Sequence, residues 1–314
     1  MGIIFRLTKE GEVMKASLII SVSVAMTMML SAFSFASVST KIPGVRYTKS
    51  ALNSLRPVLP EMPAVSNPVV YHGGPVISNA KIIAVMWGQG IDPAVVSGMA
   101  PFYTTMMASN YFDWYTEYNT NIQSVNGSPG TNQIIGKGSF GGTYSIKPVV
   151  ATGTVSDNDV QTELNKQIAA GTLPKPDANT LYMVNFPKSV VISYGGMLSC
   201  QDFCAYHGSF TSSKGLALYG ILPDSSDPSC IQGCGPATTN FQVVTTDASH
   251  EVGEAITDAD VGRGNYAWQL TDGSEIGDPS ACVTMVQNIV ATDKTPFQVQ
   301  GMWSNKRQAC VFGP

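Results

Sequence analysis

The sequence carries little charge for its length, and this limits the kinds of partner it can have. Only 13% of its 314 residues are Asp, Glu, Lys or Arg, whereas 44% are apolar. A chain of this composition can bury a sizeable core. The 18 Lys and Arg against 22 Asp and Glu give a net charge of −4, and no basic stripe is present. We therefore expect no nucleic-acid partner.

Common signatures of nucleophilic and nucleotide-binding sites are also missing. There is no G-x-S-x-G elbow, and Ser209 is typical of a turn or strand serine. A cysteine nucleophile would need a free thiol, but every cysteine has a plausible partner. The stretch "GKGSFGG" does contain G-x-G-x-x-G at Gly136, Gly138 and Gly141. The strand-like "TYSIKPVV" follows it where a phosphate loop needs a helix, so a glycine-rich hairpin is predicted.

Long apolar runs are confined to the N-terminus. The stretch "MKASLIISVSVAMTMMLSAFSFAS" has a basic residue at Lys15, an apolar run, and the small-x-small motif Ser34-Phe35-Ala36. This pattern predicts a secretory signal over residues 1–36, with Met14 as a possible true start. The alternative is an uncleaved membrane anchor. We expect a secreted protein, extracellular or periplasmic, with no membrane span once the signal is cleaved.

Six cysteines follow the predicted signal, and an exported protein usually pairs its cysteines. They are Cys200, Cys204, Cys230, Cys234, Cys282 and Cys310. The two C-x-x-x-C spacings favour two small local loops, and a Cys282–Cys310 bond would then tie the C-terminal tail to the body. Spacing alone does not determine the connectivity. Zinc binding by the first four cysteines is a second interpretation, although its usual spacing is C-x-x-C.

The order of predicted elements indicates one α/β domain. Residues 37–68 are rich in Pro and Ser and are typical of a linker, an extended arm or a propeptide. From residue 69 to residue 314, apolar runs with strand character alternate with helical patterns. Strands are predicted at 80–87, 179–187 and 216–223, and helices at 92–118, 157–170 and 240–257. We expect a single layered domain with a mixed sheet, stabilised by disulfides.

The helix at 240–257 places polar residues on one stripe. Thr238 or Thr239 is the predicted N-cap. At about 100° per residue, the apolar side chains cluster on one side of this helix. They are Phe241, Val244, Ala248, Val252 and Ala255. The other side carries Asp247, His250, Glu251, Glu254 and Asp258.

This stripe has the spacing of a zincin-like metal site, H-E-x-x-E. Residues at i and i+4 point to one ion, so His250 and Glu254 are candidate ligands, and Glu251 is the candidate general base. A carboxylate is an acceptable zinc ligand. For the third ligand we prefer Asp278, then Asp258, with Glu275 as a further candidate, and His207 either completes the site or stabilises an oxyanion. An oxygen-rich calcium site and a solvated acidic helix face are the alternatives.

Several segments together resemble the phosphate-induced protein 1 / EXORDIUM family and its bacterial secreted relatives. They are "YHGGPVISNAKIIAVMWG", "CQDFCAYHGSF" with "CIQGCG", "ASHEVGEAITD", "EIGD" and "MWSNKRQACV". The resemblance covers residues 69–314. It implies an extracellular protein whose family has no firmly established enzyme activity. In the plant branch the histidine is often lost, so this chain resembles the bacterial branch, which keeps the full set.

Two functions follow as predictions. The first is a secreted zinc peptidase of zincin-like architecture that acts on a protein or peptide substrate. The second is a non-enzymatic secreted protein that acts on a cell-wall component or a host surface. In that second function the acidic helix is structural or binds calcium.

Overall fold

The computed structural model describes residues 41–55 and 69–314 of the chain. Its strands are β1 (Val45–Tyr47), β2 (Val70–Tyr71), β3 (Lys81–Trp87), β4 (Ser139–Ile146), β5 (Gly153–Ser156), β6 (Thr180–Asn185), β7 (Val190–Tyr194), β8 (Met197–Leu198), β9 (Phe203–Ser212), β10 (Gly215–Leu222), β11 (Trp268–Gln269), β12 (Val286–Val290), β13 (Pro296–Gln300), β14 (Met302–Ser304) and β15 (Ala309–Val311). The helices are α1 (Lys49–Leu55), α2 (Pro93–Ala108), α3 (Asp157–Ala169), α4 (Pro228–Gly233), α5 (Asn240–Thr257) and α6 (Ser280–Val283), with 3-10 turns at Asp113–Tyr118 and Val261–Arg263.

A six-stranded mixed sheet organises the fold. Its strand order is β1-β9-β10-β6-β3-β4. Strands β4, β3, β6 and β10 are parallel to one another, whereas β9 runs antiparallel to both β10 and β1. The predicted α/β class with a mixed sheet is therefore confirmed.

Helices cover both faces of this sheet, which is why its central strands are continuously apolar. On one face, α2 and α5 share a core with Ile82, Met183 and Leu218. On the other face, α3 packs on alternate residues of the same strands, such as Ile83 and Tyr182. The side-chain alternation along each strand therefore decides which residues face α5.

The segment 37–68, predicted as a linker, an extended arm or a propeptide, is described in part. Residues 41–55 contain β1 and α1, and β1 pairs with β9 at the edge of the central sheet. We call residues 41–48 the N-terminal arm. Its Val45, Arg46 and Thr48 are buried, so the arm belongs to the core. A strand of three residues is too short to show a periodic pattern, so the sequence did not indicate β1.

The three predicted helices are found, with corrections at their ends. The pattern at 92–118 is split, because α2 ends at Ala108 and the aromatic residues continue in a 3-10 turn. Helix α3 is capped by Ser156, which forms a capping box with Asp159. Helix α5 has the predicted bounds, and the side chain of its N-cap Thr239 accepts a hydrogen bond from the Gln242 N–H.

The predicted glycine-rich hairpin is wrong. The G-x-G-x-x-G segment enters β4, and β4 pairs with β3 in parallel. The glycines are explained by close packing. A Cβ at Gly138 would lie 2.4 Å from the Ala80 carbonyl oxygen, and one at Gly141 would lie 2.6 Å from Ile83 Cδ1.

Three disulfides close the molecule, with a different connectivity from the expected local loops. They are Cys200–Cys230, Cys204–Cys234 and Cys282–Cys310. The two local pairs are wrong because Cys230 and Cys234 are one helical turn apart and both face the start of β9. The Cys282–Cys310 bond is as expected. With all six cysteines paired, the four-cysteine zinc interpretation is wrong.

The predicted signal at 1–36 lies outside the described residues. Among the helices in the described part of the chain, none is long and apolar enough to cross a bilayer. The three disulfides agree with an oxidising compartment.

Candidate metal centre

The polar stripe of α5 is completely buried. His250, Glu251, Glu254 and Asp258 each have a relative exposure of 0%, and Asp247 has 2%. The helix therefore has no solvated acidic face, and that alternative is wrong. Its polar side packs against β9 and β10, the arm, and the segment around residues 275–278. Buried ionised carboxylates need a compensating charge or hydrogen bonds.

A first group of candidate ligands comes from α5 and the loop before α6. It contains His250, Glu254 and Asp278, whose ligand atoms all lie within 4.8 Å of one another. His250 Nε2 is 3.1 Å from Glu254 Oε2 and 3.9 Å from Asp278 Oδ1. Neither His250 Nε2 nor Glu254 Oε2 makes a hydrogen bond. These two atoms therefore lie close together without forming a hydrogen bond to each other.

A second group is built around His207 on β9. Alternation along β9 directs Tyr206 to the α3 face of the sheet and places His207 on the α5 face. His207, Glu254 and Glu275 have ligand atoms within 4.8 Å of one another. His207 Nε2 is 3.2 Å from Glu275 Oε2 and 3.9 Å from Glu254 Oε2. Only Glu254 belongs to both groups.

Glu251 lies between the helix and the sheet. Its Cβ is 3.7 Å from the position that a Cβ at Gly220 would take, and Gly220 pairs with His207 across β9 and β10. Both Glu251 carboxylate oxygens are buried without a hydrogen-bond partner. Burial, followed by the nearby charge of Glu254, raises the pKa of Glu251 well above its usual value. Glu251 is a member of neither group.

Asp258 is held by hydrogen bonds and belongs to neither group. It is the C-cap of α5, and its carboxylate accepts hydrogen bonds from the Ala267 N–H at 2.7 Å and from Gln269 Nε2 at 2.9 Å. Both of its oxygens are therefore occupied. The remaining histidine, His72, is exposed and also lies outside the groups.

Two residues at the site, Arg46 and Gln300, were not identified by the sequence analysis. The Arg46 guanidinium reaches from the arm to Asp247, with 2.8 Å between Nε and Oδ1, and donates from Nη2 to the Cys234 carbonyl at 2.9 Å. Gln300 Nε2 donates to the Gly277 carbonyl at 2.8 Å and lies 3.0 Å from His250 Nδ1. Both partners are remote in sequence, so no local pattern contains them.

The "EIGD" segment closes the site by a backbone approach that requires glycine. A Cβ at Gly277 would lie 2.6 Å from His250 Nδ1 and 2.9 Å from Glu254 Oε1. The Gly277 N–H donates to Glu254 Oε1 at 3.0 Å. Glu254 therefore has one oxygen fixed by the backbone, and Oε2 is the oxygen available to a ligand.

Burial governs the protonation of the cluster. It raises the pKa of Glu254 to about 7 and the pKa of Asp278 to about 6. Burial, followed by the positive charge of Arg46, lowers the pKa of His250 to about 3. Near neutral pH His250 is thus neutral, as a metal ligand must be. The carboxyl groups favour their neutral forms unless a cation compensates them.

These residues fit a divalent cation. In a tetrahedral zinc site with bonds of about 2.0–2.1 Å, neighbouring ligand atoms are about 3.3 Å apart. The 3.1 Å between His250 Nε2 and Glu254 Oε2 matches such an edge. The donor set of imidazole nitrogens and carboxylate oxygens is one that zinc accepts.

Comparison with known proteins does not indicate a function for this chain, so the functional proposal is based on the geometry of the site. No protein-family model, no curated protein and no solved structure matches this chain.

Proposed function

We propose that this protein is a secreted metal-dependent hydrolase, and specifically a zinc peptidase. His250, Glu254 and Asp278 would hold the ion. The observation that carries this proposal is the approach of His250 Nε2 and Glu254 Oε2 to 3.1 Å with neither atom in a hydrogen bond. Two buried ligand atoms in this relation have an unmet need for a cation.

The donor types favour zinc over calcium. Imidazole nitrogen suits zinc, whereas calcium takes six to eight oxygen ligands. Each group contains one histidine. The resemblance to the EXORDIUM family stays a prediction and favours neither metal.

The remaining residues supply the other parts of a hydrolytic site. When bound, zinc acts as a Lewis acid that polarises a carbonyl and lowers the pKa of water to near neutrality. Glu251 would accept the water proton, because both its oxygens are free of hydrogen bonds and burial has strengthened it as a base. Arg46 Nη1 and Gln300 Nε2 lie 3.3 Å and 3.0 Å from His250 Nδ1. Zinc at Nε2 would require the neutral tautomer that carries its proton on Nδ1.

Hydrolysis of an unfolded protein such as casein tests this function. We expect activity that needs zinc, is lost with a chelator, and falls at least about 100-fold in Glu251→Gln with zinc still bound. Glu163→Gln is the matched control, because Glu163 is also a buried helical glutamate but lies on α3, across the sheet. Unchanged activity in Glu251→Gln would refute the general-base role.

Complete burial favours a second candidate function. His207, His250, Glu254 and Glu275 have relative exposures of 0–1%, whereas a catalytic zinc keeps an open position for water or substrate. In this candidate the ion stabilises a non-enzymatic protein that acts on a cell-wall component or host surface. It predicts bound zinc, no hydrolysis of casein, and a large loss of thermal stability with a chelator.

A further inference from the structure

We propose that the centre binds two divalent cations bridged by Glu254, the second of them held by His207, Glu254 and Glu275. This proposal rests on the proposed function only in assuming the first ion at His250, Glu254 and Asp278. It makes Glu254 a shared ligand and gives His207 and Glu275 a ligand role of their own. The probe is zinc.

The first support is that a single oxygen atom faces both histidines. Glu254 Oε1 accepts the Gly277 N–H. Glu254 Oε2 has no hydrogen bond. It lies 3.1 Å from His250 Nε2 on one side and 3.9 Å from His207 Nε2 on the other. A carboxylate oxygen with two such neighbours is placed to bridge two ions.

The second support is that the ligand atoms form two groups and not one. Each group is compact, with all ligand atoms within 4.8 Å of one another, and the two histidines belong to different groups. The ligand nitrogens of the two histidines are therefore farther apart than 4.8 Å. Even ligands on opposite sides of one zinc ion are only about 4.2 Å apart, so one ion would not bind both histidines here. Each histidine also has its own second carboxylate, Asp278 for His250 and Glu275 for His207.

The third support is charge. Among the described residues, Arg46 is the only buried lysine or arginine, and its charge is matched by Asp247 at 2.8 Å. Both oxygens of Asp258 accept hydrogen bonds. Five carboxylates of the cluster remain without a buried cation, Asp258 among them: Glu251, Glu254, Asp258, Glu275 and Asp278. Two divalent ions compensate up to four negative charges, whereas one ion compensates only two.

An unpartnered atom points to a ligand on the second side as well. Glu275 Oε1 is buried without a hydrogen bond. The His207–Glu275 contact does have hydrogen-bond geometry, so zinc would replace the proton between Nε2 and Oε2. Ions in two-metal sites are about 3.5–4 Å apart, which a bridging carboxylate permits.

Zinc stoichiometry of the purified full-length protein, refolded with zinc and freed of excess, tests the proposal. We expect two zinc per chain in the wild type, one in His207→Ala, one in His250→Ala, and fewer than one in Glu254→Ala. His72→Ala is the matched control and should keep two. Because a variant can fail to fold, anomalous diffraction from zinc-loaded wild-type crystals provides a second measurement, with two peaks expected about 3.5–4 Å apart.

The outcomes separate this proposal from the proposed function. One zinc per chain, lost in His250→Ala and kept in His207→Ala, overturns the second ion and leaves the peptidase proposal standing. One zinc that either substitution removes also overturns it, because both histidines then serve one ion. A folded wild type that binds no zinc overturns both. Two anomalous peaks without casein hydrolysis support the metal pair and refute the peptidase.

Discussion

At the scale of single residues, Gly277 is the strictest position of the site. A Cβ there would lie within 2.6–2.9 Å of His250 and Glu254. We expect Gly277→Ala to lower the free energy of unfolding by about 1–3 kcal/mol through overpacking and to weaken zinc binding. Chemical denaturation and zinc titration measure both effects.

A glycine with space around it gives the control for that substitution. A Cβ at Gly233 would meet its nearest atom, in Thr48, at 3.7 Å. We expect Gly233→Ala to change neither stability nor zinc affinity by a comparable amount. Equal losses in both variants would show that the close approach of Gly277 is unimportant.

Arg46 is the residue whose removal should damage the metal-free site most. Arg46→Met leaves Asp247 buried without its cation, and breaking a buried pair in this way costs about 3–5 kcal/mol. Denaturant titration measures the loss. Asp247→Asn in the same background should recover part of it, and Arg307→Met, at an exposed arginine, should have little effect. A mild Arg46→Met variant would contradict the buried-pair interpretation.

At the scale of elements, the sequence predicted α5 well but gave no sign that the arm pairs with β9. The bounds of α5, its cap at Thr239 and its polar stripe followed from helical periodicity, which is local information. The burial of that stripe depends on β9, β10 and the arm, which contact it from distant parts of the chain. Arg46 and Gln300 lie 204 and 50 residues from His250, and a single sequence contains no signal that joins them.

The protonation of Glu254, Asp278 and His250 predicts how the stability of the metal-free protein depends on pH. The raised pKa values of Glu254, about 7, and Asp278, about 6, give stability that is present below about pH 4 and lost as pH rises through 6–7. The lowered pKa of His250, about 3, gives stability that is lost as pH falls from 6.5 towards 3. With a chelator we expect maximal stability near about pH 4.

Zinc should change that profile. Binding requires deprotonated carboxylates and a neutral imidazole, so it releases protons and strengthens as pH rises. With zinc, the thermal midpoint should therefore stay high from pH 6 to pH 8, where the metal-free protein weakens. Thermal scans across pH with and without chelator measure the difference, and parallel profiles would refute a metal at these groups.

The arm should protect the backbone amide of His207 from hydrogen exchange. The His207 N–H donates to the Gly44 carbonyl at 2.9 Å, and β1 covers this edge of the sheet. Removing residues 1–48 should greatly speed hydrogen exchange at the His207 amide, whereas removing only residues 1–40 should leave it protected. Exchange measured by mass spectrometry decides this. Unchanged protection without the arm would show that β9 is closed by other contacts.

At the scale of the whole molecule, two disulfides of similar loop length should have different effects. The pairs Cys204–Cys234 and Cys282–Cys310 span 30 and 28 residues, so replacing either pair with serine should cost about 3–4 kcal/mol. Only the first should also weaken zinc binding, because the Cys234 carbonyl holds Arg46. Equal zinc affinity in the two double variants would contradict this link.

The connectivity of these bonds shows what the sequence lacks at this scale. Cysteine spacing indicated that all six are paired, but the crossed bonds between the start of β9 and α4 depend on how those elements pack. The predicted α/β class needed only the order of elements. Prediction of the complete site would also have required the positions of these elements in space.

The burial of the centre beneath the arm also affects how a metal ion exchanges with solvent. His250 and Glu254 have 0% relative exposure, and Asp278 is exposed only in part. We therefore expect an ion to enter and leave mainly when the arm opens. Its exchange is therefore slow whatever its affinity, and removal by a chelator should take place at the rate of local unfolding.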